Sequence, residues 1–295
     1  FMTVPPPTLF LDVAGRFTRK PDFPIVAAGI SVPTAKTAEL REAVLAVTGG
    51  RIVKWTDAHK DIPTAKRLFR SIGKRQLPCR ATFILKHEPE WSQYWAMGDR
   101  LEQAVKAFPQ QMPYATAAVT LKYHVYTLGI GDIIGVYLGR QRTVLPPKTG
   151  VEQMPVCAVC DSDISGEQNQ KMFRQIFEKM EGFPQTREAT GIEPTTAVYV
   201  KTEQEEPLLM LPDHIAGYIY SLSAYGKGPE NEWAELITEI ERVVSQWPQG
   251  PISVGNHEFT DEFPIDVVKF EGAAALAKTD EGREIIAMTW GTPKE

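Results

Sequence analysis

The sequence predicts a mixed-sheet α/β domain, because two strand-like runs open the chain and later strands alternate with helices. The opening runs, 8–15 and 25–32, are apolar and joined by a long polar loop, so we expect an antiparallel hairpin. The later alternation is typical of a sheet covered by helices. A chain of 295 residues can bury a sizeable core. We expect one domain over 1–295, with a mostly helical insertion around 87–150 and a C-terminal extension around 250–295.

The composition is that of a globular protein, with 43% hydrophobic and 23% charged residues. A formal net charge of −5 excludes a generally basic surface, so contact with nucleic acid requires a local basic patch or bound cations. Three cysteines form no disulfide framework and indicate a reducing cytoplasm. No signal peptide is expected, and charges and glycines interrupt the most apolar window, 114–138. We therefore predict no membrane span.

Local signals define the elements of the first half. Gly49-Gly50 follows a helical stripe of apolar residues and predicts the end of the first helix. Residues 51–55 are then expected to form a short strand. Either Asp61 or Thr64 is the expected cap of the second helix.

The second half continues the alternation. Residues 114–140 are expected to be helical in two pieces, broken near Gly129-Ile-Gly131. The run 155–161 is apolar at successive positions, which favours a strand covered on both faces. Another strand is expected over 196–200, and Pro212 suits the first position of a later helix.

Three acidic residues occupy positions from which they can converge. Asp12 and Asp161 each end an apolar strand, and ligands of open α/β sheets gather outside the carboxyl ends of strands. Asp213 lies in the first turn of its helix. Ala216 and Gly217 share its face and are small enough to let that helix approach the sheet.

Converging carboxylates repel one another unless divalent cations lie between them, and ligand sets made only of oxygen favour Mg²⁺ or Mn²⁺. Such a centre activates water and stabilises in-line phosphoryl displacement. Asp163 is a substitute ligand. Taken singly, each acid also has a simple structural explanation: a turn for Asp12, a helix cap for Asp163 and the helix dipole for Asp213. Their joint placement is what indicates a metal centre.

Several of these segments resemble a prokaryotic family of unknown function, number three-thousand-eight-hundred in its series. Asp12-Val-Ala-Gly15 and the strand after it are similar to that family's opening Asp-Glu-Ser-Gly and apolar strand. Pro212-Asp-His-Ile-Ala-Gly217 resembles its late Ala-Asp-x-x-Ala-Gly helix, and 156–161 resembles its later strand that ends in an acid. The resemblance spans roughly residues 8–224 and is poor over 86–150.

The resemblance implies an RNase H-like three-layer fold, with a mixed central sheet flanked by helices, and a metal-dependent nuclease activity. It implies Asp12, Asp161 and Asp213 as catalytic metal ligands. Val13 stands where the family has Glu, and Ile52 where it often has an acid. A catalytically inactive binding or scaffold module, for which a partner protein is a candidate, is therefore the alternative hypothesis. A different phosphate-processing hydrolase that uses the same acids is a third.

A basic face on the second helix is the candidate for nucleic-acid contact. Its members recur at steps of three and four, so that several share one side of the helix: Lys66, Arg67, Arg70 and Lys74. A solvated helix face is the commoner explanation of such a run. The sequence leaves the oligomeric state and the choice between DNA and RNA open.

Two further features carry weaker predictions. His214 is a secondary candidate for a general acid or a substrate contact, although adjacent helix residues point in different directions and packing is the simpler explanation. Cys157 and Cys160 have the spacing of a zinc knuckle. On a strand, however, residues three apart point to opposite faces, so buried structural thiols are expected.

Overall fold

The computed structural model describes residues 4–21, 24–86, 88–89, 91–93, 95–96, 99, 103, 117–142, 152–162, 192–224, 232–247 and 252–258. Six strands lie in one sheet in the order β5-β4-β1-β2-β3-β6. They are β1 (Pro7–Ala14), β2 (Ile25–Pro33), β3 (Cys79–Leu85), β4 (Glu152–Asp161), β5 (Ile192–Lys201) and β6 (Ser253–Glu258). The helices are α1 (Thr37–Thr48), α2 (Ile62–Arg75), α3 (Ala117–Arg142), α4 (Met210–Ala224) and α5 (Glu232–Val244).

The sheet is mixed. β1 pairs with β2 and β2 with β3 in antiparallel fashion, which confirms the predicted opening hairpin. β4 runs parallel to both β1 and β5, and β6 runs parallel to β3. All strands except β2 therefore end at the same edge of the sheet, which we call the carboxyl edge. This order and these directions, with helices on both faces, confirm the α/β class and the RNase H-like three-layer fold.

One face of the sheet carries most of the core. Apolar side chains at alternate positions of β1 and β2, such as Phe10 and Ile30, pack against buried residues of α1, α2, α4 and α5. α4 lies directly on β1 and β2, while α5 packs outside it against α2. Leu211 and Ile215 are fully buried and anchor α4 in this layer. The start of α4, which carries Asp213, is thereby held near the strand ends.

The opposite face is covered by α3, and here one prediction was wrong. α3 is a single helix through Gly129, not two pieces. A Cβ atom on Gly129 would lie 3.2 Å from Ala27 Cβ and 3.2 Å from Leu11 Cδ2. The glycine therefore lets the helix approach the sheet, which offsets its cost of about 1 kcal/mol relative to alanine. In the part of the chain that the structure describes, no helix is long and apolar enough to cross a membrane.

The segment between α1 and α2 also differs from the prediction. Gly49 ends α1 with a φ of 65°, as expected, and Asp61 caps α2 through a 3.2 Å hydrogen bond from the Thr64 N–H. Residues 51–54, however, have no regular structure, and Trp55–Lys60 forms a 3-10 helix. No strand forms because this segment lies against α4, where the Trp55 N–H donates to a carboxylate and not to a neighbouring strand.

Some predictions fall on residues that the structure does not describe. These are the substitute ligand Asp163, with the helix that it was expected to cap, and the C-terminal extension around 250–295 apart from residues 252–258. Of the insertion around 87–150, the structure describes α3 and a few residues before it. The division into a domain, an insertion and an extension therefore stays a prediction.

Candidate active site

Asp12 and Asp161 lie side by side at the carboxyl edge. In the parallel pairing of β1 with β4, Leu11 is opposite Cys160, so the two acids follow at the next position of each strand. Neighbouring strands are about 4.8 Å apart. Phe10 and Val159, two residues earlier on each strand, both point into the core beneath α4, and alternate residues share a face. Both carboxylates thus project toward α4, and each residue is only 7% exposed.

Asp213 approaches the same edge from the first turn of α4, and it also has a structural contact. Its Oδ2 accepts a 2.7 Å hydrogen bond from the Trp55 N–H. The bond fixes the start of the 3-10 helix against α4. The Trp55 indole ring packs against Gly217, one turn further along α4. The contact is so close that a Cβ atom at Gly217 would lie less than 3.0 Å from Trp55 Cδ1. The small residue at 217 therefore makes room for Trp55, not for the sheet as predicted.

Two residues at this site were missed in the sequence: Lys54 and Glu203. Lys54 Nζ lies 2.6 Å from Glu203 Oε1, and the Glu203 side chain is only 4% exposed. Glu203 follows β5 by two residues, and the last residue of β5, Lys201, is opposite Asp161. It thus stands just beyond a strand end, close to Asp161, the last residue of β4, whereas β1 continues two residues past Asp12, which the sequence placed at the end of its strand. The signal was hidden because the sequence around it, Thr202-Glu-Gln-Glu-Glu206, resembles an ordinary charged loop.

The electrostatics connect these groups. Burial of the Lys54 ammonium on its own lowers its pKa, but the ion pair with Glu203 and the charges of Asp161 and Asp213 outweigh burial and raise it. Asp161 and Asp213 therefore both act on one ammonium group. On the other face of β4, burial raises the pKa of the Cys160 thiol well above its ordinary value, and the charges of Asp12 and Asp161 add to this. Cys160 is a buried structural thiol, as predicted, whereas Cys157 is only half-buried.

The residues fit a divalent cation in the chemistry of their donors, which are all carboxylate oxygens. Asp12 and Asp161 form an adjacent pair. Among the residues that the structure describes, no three Asp, Glu, His or Cys side chains are already grouped as ligands of one ion. A third ligand would come from Asp213 or Glu203, which accept from Trp55 and Lys54 in this structure. The arrangement is thus a pair of carboxylates with two further acids close by.

His214 is placed in the core and not at a surface that a substrate can reach. Its side chain is fully buried. Its Nδ1 lies 2.8 Å from the Met210 carbonyl oxygen, and its ring meets Trp55 edge-on with 5.8 Å between the ring centroids. These contacts favour a packing role over the secondary role of general acid.

The predicted basic face of α2 is partly used within the fold. Lys66 forms an ion pair with Glu239 of α5 and so joins the two helices. The Arg67 guanidinium donates a 2.6 Å hydrogen bond to Thr64 Oγ1. Arg70 and Lys74 are exposed. Nucleic-acid contact at this face stays a prediction, which rests on Arg67, Arg70 and Lys74.

A second group of cations lies at the carboxyl edge itself. The loop after β1 exposes three of them, one residue follows the end of β3, and one belongs to the first half of α3. We call this group the basic rim: Arg16, Arg19, Lys20, Lys86 and Lys122. Two contacts hold it together, since Lys86 Nζ donates a 2.8 Å hydrogen bond to the Arg16 carbonyl and Lys122 Nζ lies 5.3 Å from the centre of the Phe17 ring.

No protein-family model and no curated protein matches this chain. Ten solved chains match its structure. One is in the PCNA:RNase HII complex from Archaeoglobus fulgidus, with 16% identity, a TM-score of 0.35, and coverage of 80% of this chain and 88% of that one. A second is Bst-RNase HIII in complex with Mn²⁺, with 13% identity and a TM-score of 0.35. A third is a mutant of Bst-RNase HIII, with 14% identity and a TM-score of 0.36.

The alignment with either Bst-RNase HIII chain covers 96% of this chain and 65% of the other. At these identities and TM-scores the matches carry no argument about activity. The fold class rests on the order and directions of the strands in this chain.

Proposed function

We propose that this protein is an RNase H-like nuclease that hydrolyses nucleic-acid phosphodiester bonds with the help of Mg²⁺ or Mn²⁺. The observation that carries the proposal is the placement of Asp12, two residues before the end of β1, beside Asp161, the last residue of β4, with both buried and on one face of the sheet. The resemblance to the family of unknown function supports it, because that family is similar in the same segments. Membership of that family is part of the proposal.

In this proposal the chain's carboxylates bind the cation and orient it. When bound, the ion supplies an activated water and neutralises charge on the phosphate. Asp12 and Asp161 provide the adjacent pair of ligands. Asp213 is positioned by its bond to Trp55, and Asp163 remains the substitute ligand.

The basic rim supports a polyanionic substrate. Its exposed members Arg16 and Lys20 give positive charge to the edge that carries the acids, in a chain whose formal net charge is −5, whereas Arg19 pairs with Asp99 and Lys86 is only 8% exposed. Because phosphate contacts supply most non-specific affinity for nucleic acid, a local cluster of this kind is what an acidic protein needs. The face of α2 is the second candidate for the same role.

A catalytically inactive binding or scaffold module is the second candidate function. Its specific support is that no three ligands are grouped among the described residues and that Lys54 already pairs with one of the acids. Val13 and Ile52, which stand where the family has acids, point the same way. This version implies a protein partner.

Both versions place the protein in the cytoplasm, in keeping with free thiols at Cys79, Cys157 and Cys160.

The test is cleavage of labelled single- and double-stranded DNA and RNA with Mg²⁺, with Mn²⁺ and with a chelator. We expect cation-dependent cleavage that Asp12→Asn and Asp161→Asn each abolish. Glu42→Gln removes an exposed carboxylate from α1 and is the matched control, expected to act as wild type. Folded protein that cleaves no polymer under any of these conditions would favour the scaffold.

A further inference from the structure

Lys54 is held at this site by the packing of its neighbour. Trp55 is only 5% exposed. The Trp55 indole N–H donates a 3.1 Å hydrogen bond to Ser221 Oγ, and its backbone N–H donates to Asp213. Both acceptors belong to α4. The backbone of Lys54 is therefore fixed beside Asp213, and the packing of Trp55 keeps Lys54 near the acids.

The side chain of Lys54 reaches a buried carboxylate. Its ammonium is 2.6 Å from Glu203 Oε1, where the Lys54 side chain is 49% exposed and that of Glu203 4%. A buried carboxylate is costly unless a positive charge or hydrogen bonds accompany it. The lysine is thus the partner that Glu203 needs. Because its stem is flexible and half of it is exposed, the ammonium can also move away into water.

The charges around Lys54 favour a cation. Asp12 and Asp161 are adjacent, and Asp161 and Asp213 both act electrostatically on the ammonium, beside the direct pair with Glu203. Carboxylates at such short range repel one another, and one positive charge among them relieves the repulsion. A divalent ion would do so more strongly. Lysine and metal ion would therefore serve the same acids by the same attraction.

We infer that Lys54 is the resident counter-ion of the candidate active site and competes with a divalent cation for its carboxylates. The inference rests on the proposed function for the identity of the competing ion. It gives the site two states. In one, Lys54 holds Glu203 and balances the acids; in the other, an ion occupies the pair Asp12 and Asp161, and the ammonium moves away from the added positive charge.

Removal of the lysine charge should tighten metal binding. We expect Lys54→Met and Lys54→Gln to bind Mn²⁺ on the order of tenfold more tightly than wild type, because a unit charge at short range is removed. Lys54→Arg retains the charge and should bind as wild type. Lys60→Met removes a lysine that pairs with Asp57 on the exposed side of the same segment, and it is the matched control.

The measurement is a titration of the full chain with Mn²⁺, following the free ion by electron paramagnetic resonance and the rise of the melting temperature in parallel. A ligand that binds only the native state raises the melting temperature, and more so as its affinity increases. Asp161→Asn in the Lys54→Met background should remove the gain, which shows that the ion binds at these acids. A gain that survives Asp161→Asn would overturn the inference.

The outcomes separate the two ideas. If wild type binds Mn²⁺ and both neutral variants bind it equally, the inference is wrong and the proposed function stands. If only the neutral variants bind it, Lys54 blocks the site and the inactive module is favoured. If no variant binds it, both ideas fail. Neutral variants that fold only with Mn²⁺ support the competition, whereas variants that stay unfolded with Mn²⁺ show that Lys54 is needed only for folding.

Discussion

The backbone N–H of Trp55 donates a 2.7 Å hydrogen bond to Oδ2 of Asp213, which ties a predicted catalytic acid to the fold itself. Asp213 therefore has two separable roles: it anchors the 3-10 helix, and it supplies charge at the carboxyl edge. Substitutions that keep an acceptor oxygen and those that remove it should differ in stability, even where both abolish metal binding.

Asp213→Ala should lower the free energy of unfolding by about 1–3 kcal/mol, because it leaves the Trp55 N–H without its acceptor. Asp213→Asn keeps a carbonyl oxygen at that position and should cost less. Urea unfolding of both variants beside wild type checks this. Equal destabilisation in the two would show that the charge of Asp213, and not its hydrogen bond, supports the fold. The asparagine variant is therefore the cleaner one for tests of activity.

The basic rim and the face of α2 can be separated by salt dependence. Arg16→Gln with Lys20→Gln removes two exposed charges from the carboxyl edge, and Arg70→Gln with Lys74→Gln removes two from α2. If the rim holds the phosphates, only the first pair should weaken binding to single-stranded DNA. It should also reduce the slope of log K against log salt by roughly 1.4, at about 0.7 for each phosphate that the variant no longer neutralises.

Fluorescence anisotropy in chelator measures this binding without cleavage, so the result does not depend on whether the protein is a nuclease. The α2 pair is matched in number and type of charge and serves as the control. If only the double variant of α2 binds DNA more weakly, nucleic acid contacts the face of α2, as predicted from the sequence. No change in either pair would remove both surfaces from consideration.

Asp61 gives a prediction about pH. Hydrogen bonds from Thr64 hold the pKa of its carboxyl below the ordinary value, against a smaller opposing effect of burial, and Arg51 adds to the lowering. A group whose pKa is lower in the folded state contributes stability above its unfolded pKa of about 3.9, and that stability is lost as the pH falls through the folded value. The cap should therefore strengthen α2 at neutral pH and weaken in acid.

We expect Asp61→Ala to cost about 1 kcal/mol at pH 7, the usual effect of losing a helix cap. The difference in free energy of unfolding between Asp61→Ala and wild type should become smaller below about pH 4. Asp61→Ser keeps a capping oxygen without the charge. At pH 7 it should therefore be more stable than Asp61→Ala. Urea unfolding at pH 7 and pH 3 measures both effects, and a pH-independent difference would show that ionisation of Asp61 contributes nothing.

The sequence was sufficient where a local pattern sets the structure. Asp12 and Asp161 were found because an acid that follows an apolar run lies at or near a strand end, whichever strands are its neighbours. Lys54 and Glu203 were missed because their pairing crosses almost 150 residues and depends on how β5 and α4 are placed. In the same way, a helix break is predicted at Gly129 because the sequence does not show that this glycine packs against Leu11 and Ala27 of the sheet.

The segment 51–55 shows the opposite error. Its β-branched and aromatic residues have strand propensity, yet strand propensity reflects packing against neighbours more than the backbone itself. Here the neighbour is α4, whose Asp213 accepts the Trp55 N–H and whose Gly217 receives the indole. The tertiary contact therefore overrides the local preference.

Gly217 provides the last prediction, because its packing against Trp55 positions the site. A Cβ atom at this position would lie closer than 3.0 Å to three atoms of the Trp55 ring, so Gly217→Ala must displace the indole. Overpacking of this kind costs roughly 1–3 kcal/mol. Because the Trp55 N–H moves with the ring and no longer holds the carboxylate of Asp213 in place, we expect the variant to lose Mn²⁺-dependent stabilisation as well as stability.

A double-mutant cycle with Trp55→Leu tests the mechanism. The smaller side chain leaves room for the new methyl group, so the cost of Gly217→Ala should shrink by about 0.5 kcal/mol or more in that background, within the usual range for residues in contact. Ala216→Ser, one position away and buried in the core, serves as a comparison that should show no such coupling to residue 55. Additive effects of Gly217→Ala and Trp55→Leu would mean that the close approach of the indole to α4 is not what positions Lys54 and Asp213.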